Sequence, residues 1–384
     1  MDVMRESLEL HKRLKGKIEI KNKLNVKSMD DLSLIYTPGV ASPCLEIKNN
    51  PKEVFNLTSK RNTVAVISDG TAVLGLGDIG PLAAIPVMEG KCAIFKRFAG
   101  VDAIPIVLDC KDTEEIIKTV LNIAPSFGGI NLEDISAPRC FEIEKRLDEL
   151  LDIPVFHDDQ HGTAIVTGAA LLNSLKIVNK KISKIKIVIN GAGSAGIAIC
   201  KFLLALGAKD IILCDIFGTI VKGSKNLNEA QKEMSLMTNK KKIVGSLSDA
   251  IKGADVFIGV SVGNVVSKEM IASMEKDAIV FPLANPVPEI SRADALAANA
   301  RIVGNGLSNY PNQINNSLVF PGLFKGALDA RVNSITMEMK VAACKALAKV
   351  ITKKELSEDY VIPNIFNKKV CKAVSNAVIK VANK

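Results

Sequence analysis

The stretch KIKIVINGAGSAGIAICKFLLALGAKDIILCD, residues 184–215, restricts the fold more than any other part of the chain. An apolar β-branched run leads into a glycine-rich turn, an amphipathic helical run and a second apolar run, which is the order of one parallel βαβ unit. Gly191, Gly193 and Gly196 occupy the three positions of a G-x-G-x-x-G turn. Glycine there permits the tight turn, the close approach of a pyrophosphate and helix–strand packing. Ser194 and Ala195 open the helix, whose free N–H groups face the phosphates. Asp215 ends the second strand, nineteen residues beyond Gly196. An acidic side chain at that place accepts from the adenosine ribose hydroxyls. Ile216 and Phe217 follow it and supply no Arg for a 2′-phosphate, which favours NAD; Lys222 and Lys225 keep NADP open.

The second feature is acidic. In LDIPVFHDDQHGT (151–163) a short apolar run ends in His157, Asp158 and Asp159, and a helical pattern starts at Gly162 and Thr163. Adjacent carboxylates at a strand mouth repel one another and need a compensating charge, which a hard divalent cation supplies. The bland alternative is a capped helix start, since Asp favours the N-cap and first turn. An upstream strand, 129–132, ends in a second acidic pair, Glu133 and Asp134. Sites in parallel α/β sheets form at the carboxyl ends of strands. Two such ends, one helix apart, can bring three carboxylates to one Mg²⁺ or Mn²⁺.

Between these landmarks the pattern alternates. Helical spacing over 3–15 precedes a possible short strand at Ile18 and Ile20, and strands are expected at 63–69 and 103–109, with helices at 81–95, 113–123, 138–151 and 160–178. Lys91 falls inside the apolar helix 81–95, where burial lowers a lysine pKa toward that of a usable base. A lysine snorkelling from the helix edge is the competing reading. Tyr36 stands before the Pro38-Gly39 turn, placed either to present its hydroxyl to a cleft or to edge a core. GLGDIG (75–80) also fits the glycine template, but the downstream copy has the full strand–turn–helix–strand context. Beyond the second unit, strands are expected at 254–261 and 278–290, the latter carrying Asn285 toward the reactive end of the cofactor. Asn315 and Asn316 are uncharged donors suited to a carboxylate or carboxamide, or simple turn formers. Helices are expected over 326–353 and 367–382.

Net charge is +9, but only nine of the fifty basic residues are Arg and the lysines are scattered, so nucleic acid is not an expected partner. The eight cysteines show no paired spacing and sit mostly in apolar runs, which argues for a reducing cytoplasm over a disulfide framework. The charged N-terminal residues lack the apolar core of a secretory leader, and no run of about 18 apolar residues suggests a membrane span.

Together these segments resemble the malic enzymes, in particular their short bacterial and archaeal type. The resemblance rests on YTPGVA (36–41), GLGDIG to PVMEGK (75–91), FAGVDAIPI (98–106), NLEDISAPRCFEIE (131–144), PVFHDDQHGTA (154–164), GAGSAGIA (191–198), ANPVPEI (284–290) and PNQINNSLVFPG (311–322). It covers essentially the whole chain. It implies oxidative decarboxylation of L-malate to pyruvate and CO₂ with NAD(P)⁺ reduced, dependent on Mg²⁺ or Mn²⁺. It further implies Tyr36 and Lys91 as catalytic residues, Glu133, Asp134 and Asp159 as metal ligands, and Asp158 as their neighbour. Asn285, Asn315 and Asn316 fall on positions that contact malate or nicotinamide. The larger members carry an Arg before LGLGD that pairs with a substrate carboxylate; here the position is Ala72.

The fold expected is α/β, with an N-terminal substrate and metal domain (1–160) and a C-terminal Rossmann-type, doubly wound dinucleotide-binding domain with terminal helices (161–384). A homodimer that exchanges N-terminal elements is implied by the resemblance. Two rival functions keep the fold: a malolactic enzyme that retains NADH and yields lactate, and a non-catalytic NAD-sensing protein.

Overall fold

A computed structural model describes residues 3–73 and 75–384. The chain begins with α1 (Val3–Leu14), α2 (Met29–Ile35), α3 (Ala41–Asn49) and α4 (Val54–Leu57), none of which holds a buried residue. Their apolar side chains face outward; Met4 is 82% and Leu34 76% exposed. Ile18 and Ile20, expected in a strand, lie in an irregular connection, and Ile20 is 95% exposed. A strand needs a pairing edge, and an isoleucine facing solvent has nothing to anchor one.

The body consists of two mostly parallel sheets. The first contains β1 (Thr63–Ser68), β2 (Asp102–Val107), β3 (Gly129–Leu132) and β4 (Val155–His157) in the order β2-β1-β3-β4. Its crossovers are α5 (Pro81–Ala99), α6 (Thr113–Ile123) and α7 (Arg139–Leu150). α6 and α7 cover one face with Ile116, Ile117, Val120, Ile143 and Leu147, whereas α5 covers the other with Met88, Cys92 and Phe95. α8 (Asp158–Ile177) follows β4 at once. It starts two residues earlier than the expected 160, so Asp158 and Asp159 occupy a helical first turn, the end at which the helix dipole favours anions.

The second sheet holds β5 (Lys186–Asn190), β6 (Asp210–Asp215), β7 (Gly218–Thr219), β8 (Val256–Gly259), β9 (Ile279–Pro282) and β10 (Ile302–Val303). Its order is β10-β9-β8-β5-β6-β7, parallel apart from β7. α9 (Ser194–Ala205), α10 (Glu229–Met237), α11 (Leu247–Ile251), α12 (Lys268–Ala272) and α13 (Arg292–Ala297) connect these strands. The order reverses between β5 and β8, the switch point where open α/β sheets bind ligands. The long helix expected over 326–353 is instead two, α14 (Phe320–Ala330) and α15 (Met337–Lys349), before α16 (Lys369–Ala382). Arg331 ends α14 in the left-handed region (φ 52°), and the Thr336 hydroxyl caps α15 by accepting from Met339 N.

α8 runs between the sheets, and its small residues let neighbours approach: a Cβ on Gly168 would stand 2.7 Å from Phe202 of α9 and 3.2 Å from Cys344 of α15. One apolar core therefore runs from β1 and α5, across α8, to β5 and β8. Phe95 packs at a steep angle against Phe320 and Phe324, at 4.7 and 5.3 Å between ring centroids, tying α5 to α14. These contacts fix the cleft between the two sheets.

Candidate active site

β3 and β4 pair in register, Leu132 opposite His157, so the residues after each leave the same sheet edge side by side. Glu133 and Asp134 come from one strand end and Asp159 from the next, and one carboxylate oxygen from each lies within 4.8 Å of the other two. Asp134 sits in the left-handed region (φ 53°), which turns it back toward α8, where its N–H donates to Asp159 Oδ2 at 2.7 Å. Asn131 Nδ2 donates to Glu133 Oε2 at 2.9 Å.

Lys91, on the inner face of α5, completes the cluster. Its Nζ lies 2.6 Å from Glu133 Oε1 and 2.7 Å from Asp158 Oδ2, and 4.3 Å from the centroid of the Phe320 ring. The burial expected for Lys91 holds, but the direction expected for its pKa does not. The amine is buried rather than snorkelling, and its pKa is raised rather than lowered. Burial alone would lower it, but the carboxylates of Asp158, Glu133 and Asp159 outweigh that effect. The charge that sequence reasoning assigned to the metal alone is thus shared with this ammonium.

The carboxylates carry the opposite strain. Burial, with Asp159 and Glu133 close by, pushes Asp134 up to about 9. Burial pushes Asp158 to about 7 against the pull of Lys91, and it raises Glu133 and Asp159 as well. Four acids facing one lysine leave an excess of negative charge that a dication would relieve. Asp134 Oδ2 is buried without a hydrogen-bond partner. Oxygens around Mg²⁺ stand at most about 4.2 Å apart, so a small inward adjustment would close this set on one ion. The donors are all hard oxygens, as Mg²⁺ or Mn²⁺ requires.

The acids open onto a cleft of about 730 Å³ whose far wall belongs to the second sheet. Ser194, Ala195, Asn285, Asn315 and Asn316 line it together with Lys91, Glu133, Asp134 and Asp159. The glycine turn is shaped for a nucleotide. A Cβ on Gly191 would stand 2.5 Å from Val260 O and one on Gly196 1.7 Å from Gly191 O, while nothing lies within 4 Å of the Cβ position of Gly193. Two of these glycines thus close the turn and the third leaves room for a ligand. Asp215 ends β6, its Oδ1 accepting from Phe217 N at 2.8 Å. A Cβ on Gly75 would meet Asn285 O at 2.2 Å, so the GLGDIG turn serves as a wall against the Asn285 loop rather than as a second nucleotide turn.

Tyr36 is the site candidate that the fold leaves apart. It follows α2, is 67% exposed and does not line the cleft of its own chain. Sequence reasoning also missed two acids, the buried Glu289 and the half-buried Glu144. Glu289 accepts from Ser261 N, Ser261 Oγ and Ala284 N, bracing the loop that carries Asn285. Glu144 accepts from His157 N and bonds the side chains of Gln160 and His161. Both lie within segments quoted for the resemblance, but a Glu one helix away from its partner carries no local signal.

Family models match almost the whole chain: malic enzyme, N-terminal domain, over residues 15–148, and malic enzyme, NAD binding domain, over residues 160–383. An NAD-dependent malic enzyme of Geobacillus stearothermophilus is 59% identical over 367 residues, 96% of this chain and 77% of that protein. A bifunctional malic/malolactic enzyme of Bacillus subtilis is 55% identical over 383 residues, 100% of this chain and 93% of that protein. The crystal structure of an NAD-dependent malic enzyme from Thermotoga maritima aligns with a TM-score of 0.94 at 48% identity, covering 97% of this chain and 98% of that one.

Proposed function

The chain belongs to the malic enzyme family, and on that premise we propose that it converts L-malate and NAD⁺ to pyruvate, CO₂ and NADH with a divalent cation. The observation that carries this reading is the meeting, in one cleft, of Lys91, three carboxylates and the N-terminal turn of α9. Glu133, Asp134 and Asp159 would hold Mg²⁺ or Mn²⁺, which when bound acidifies the malate C2 hydroxyl and offsets the negative charge that develops on its oxygen as CO₂ leaves. The Gly191–Gly196 turn would hold NAD⁺, which would supply the acceptor for the C2 hydride. Asp215, with no Arg beside it, supports NAD over NADP.

With a bound dication offsetting the carboxylates that otherwise keep Lys91 charged, its neutral Nζ would take the C2 hydroxyl proton, and Asp158 would keep the resulting ammonium paired. Phe320 closes over the amine and excludes water from it. Asn285, Asn315 and Asn316 offer amide donors to the malate carboxylates and the carboxamide. When the C3–C4 bond breaks, its electron pair forms the enolate of pyruvate, and C3 then needs a proton. Tyr36 delivers it from a second copy of the chain. The uncovered apolar side chains of α1 to α3 support a homodimer in which this arm lies against the partner. Among the described residues no helix is long and apolar enough to cross a membrane. All eight cysteines are free, which fits a reducing compartment such as the cytoplasm.

The B. subtilis relative's malolactic activity favours one second reading, in which NADH stays bound and returns its hydride to pyruvate. Measuring NADH, pyruvate and lactate formed from malate, NAD⁺ and Mn²⁺ separates the two. Equimolar NADH and pyruvate are expected. Lactate without free NADH would establish the second reading, and accumulation of oxaloacetate would contradict both.

A further inference from the structure

α8 lacks the usual side-chain cap: His157 is its N-cap residue and makes no side-chain capping bond. That helix end nevertheless carries both Asp158, which pairs with Lys91, and Asp159, one of the three convergent acids. The missing cap comes from another element. Glu144 on α7 accepts from the His157 backbone N–H at 2.9 Å, from Gln160 Nε2 at 3.2 Å, and lies 2.9 Å from His161 Nε2. Residues 157, 160 and 161 bracket the two acids, so one carboxylate holds the turn on both sides of them.

We propose that Glu144 is a positioning residue for the divalent cation, fixing the rotation of the first turn of α8 and with it the directions of Asp158 and Asp159. The geometry sets how much this matters. A carboxylate tip about 5 Å from a helix axis moves about 2 Å for a 20° rotation, whereas a metal site tolerates about 0.2 Å. The His157 ring offers little substitute hold, its Nδ1 standing 3.7 Å from Asp159 Oδ2, beyond hydrogen-bond distance. Glu144 is well suited to a permanent grip. Although burial opposes its charge, His161, Lys340 and His157 hold its pKa down to about 2, so it stays ionised at neutral pH.

The inference rests on the proposed metal site, and the test separates the two. Mn²⁺ binding to the full-length protein is read by electron paramagnetic resonance of the free ion, and NADH binding by fluorescence, for wild type, Glu144→Gln and Leu147→Ala. Leu147 is a buried residue on the same helix that packs in the apolar cluster under α6 and α7, so its truncation loosens α7 without removing the carboxylate. Glu144→Gln should weaken Mn²⁺ by on the order of 10–100-fold and leave NADH affinity within threefold, whereas Leu147→Ala should keep near-normal Mn²⁺ affinity. Less than a tenfold loss in Glu144→Gln, or an equal loss in Leu147→Ala, overturns the positioning role. A wild-type protein that binds no Mn²⁺ overturns the metal site and this inference together. Should Glu144→Gln fail to fold, Gln160→Leu removes one of the three bonds and keeps the carboxylate. A Mn²⁺ loss of threefold or more then supports the role, and a smaller one overturns it.

Discussion

Lys91 and Gly162 show how much of this site depends on single atoms. Lys91 Nζ bridges Glu133 and Asp158, and both partners are buried with it. Removing the amine as Lys91→Ala should cut kcat for malate oxidation by about 10²–10⁴-fold while NADH binding, read by fluorescence, stays near normal. Turnover within a few-fold of wild type would exclude Lys91 as the base. Gly162 is a subtler case. In an open helix Gly→Ala gains about 1 kcal/mol, but a Cβ here would stand 1.8 Å from Asp158 Oδ1 and 3.0 Å from Asn316 Cβ. Gly162→Ala should therefore push Asp158 off Lys91 and lower both melting temperature and kcat, as thermal unfolding and steady-state rates would report. A stabilised variant with full activity would show that the Asp158 side chain is free to move aside.

At the scale of elements, the acid pairs after β3 and at the start of α8 form a cage that metal-free protein holds under charge stress. Burial and neighbouring charge push Asp134 up to about 9 and Asp158 to about 7 in the folded state, both far above the ordinary carboxylate range. The folded state therefore keeps protons that the unfolded chain has already lost. Stability contributed by these groups must fall as pH rises from about 4 to about 9. Lys91, raised above its ordinary value, stays charged throughout that range and does not reverse the trend. In EDTA the melting temperature should decline across this window, and the increment from added Mn²⁺ should grow. A metal-free protein that stabilises as pH rises would mean that the acids are not packed as described. Much of this element-level picture was legible in the sequence, because periodicity marks α6 and the glycine turn marks β5, α9 and β6. The break between α14 and α15 was not, since left-handed Arg331 has no glycine to announce it. The raised pKa of Lys91 was also hidden, because it depends on three carboxylates 42 to 68 residues away in the chain (133 − 91 and 159 − 91).

For the whole molecule, the two sheets make one cleft, and under the proposed mechanism a second chain would complete it. Tyr36 stands outside its own cleft, on an arm whose apolar side chains are uncovered. Mixing inactive Lys91→Ala and Tyr36→Phe chains under exchange conditions should regain activity, because one site of each hybrid dimer then has both groups intact. No recovery in a demonstrated hybrid would place Tyr36 outside the partner's site. The resemblance located Tyr36 in the sequence, but only the fold shows that it does not line the cleft of its own chain. The convergence of the three acids, opposite the nucleotide turn, and their proposed hold on one ion remain the centre of the account. Anomalous diffraction from crystals grown with Mn²⁺ tests it most directly. The account predicts a single strong peak about 2 Å from one oxygen each of Glu133, Asp134 and Asp159; a peak elsewhere, or none at saturating Mn²⁺, would contradict it.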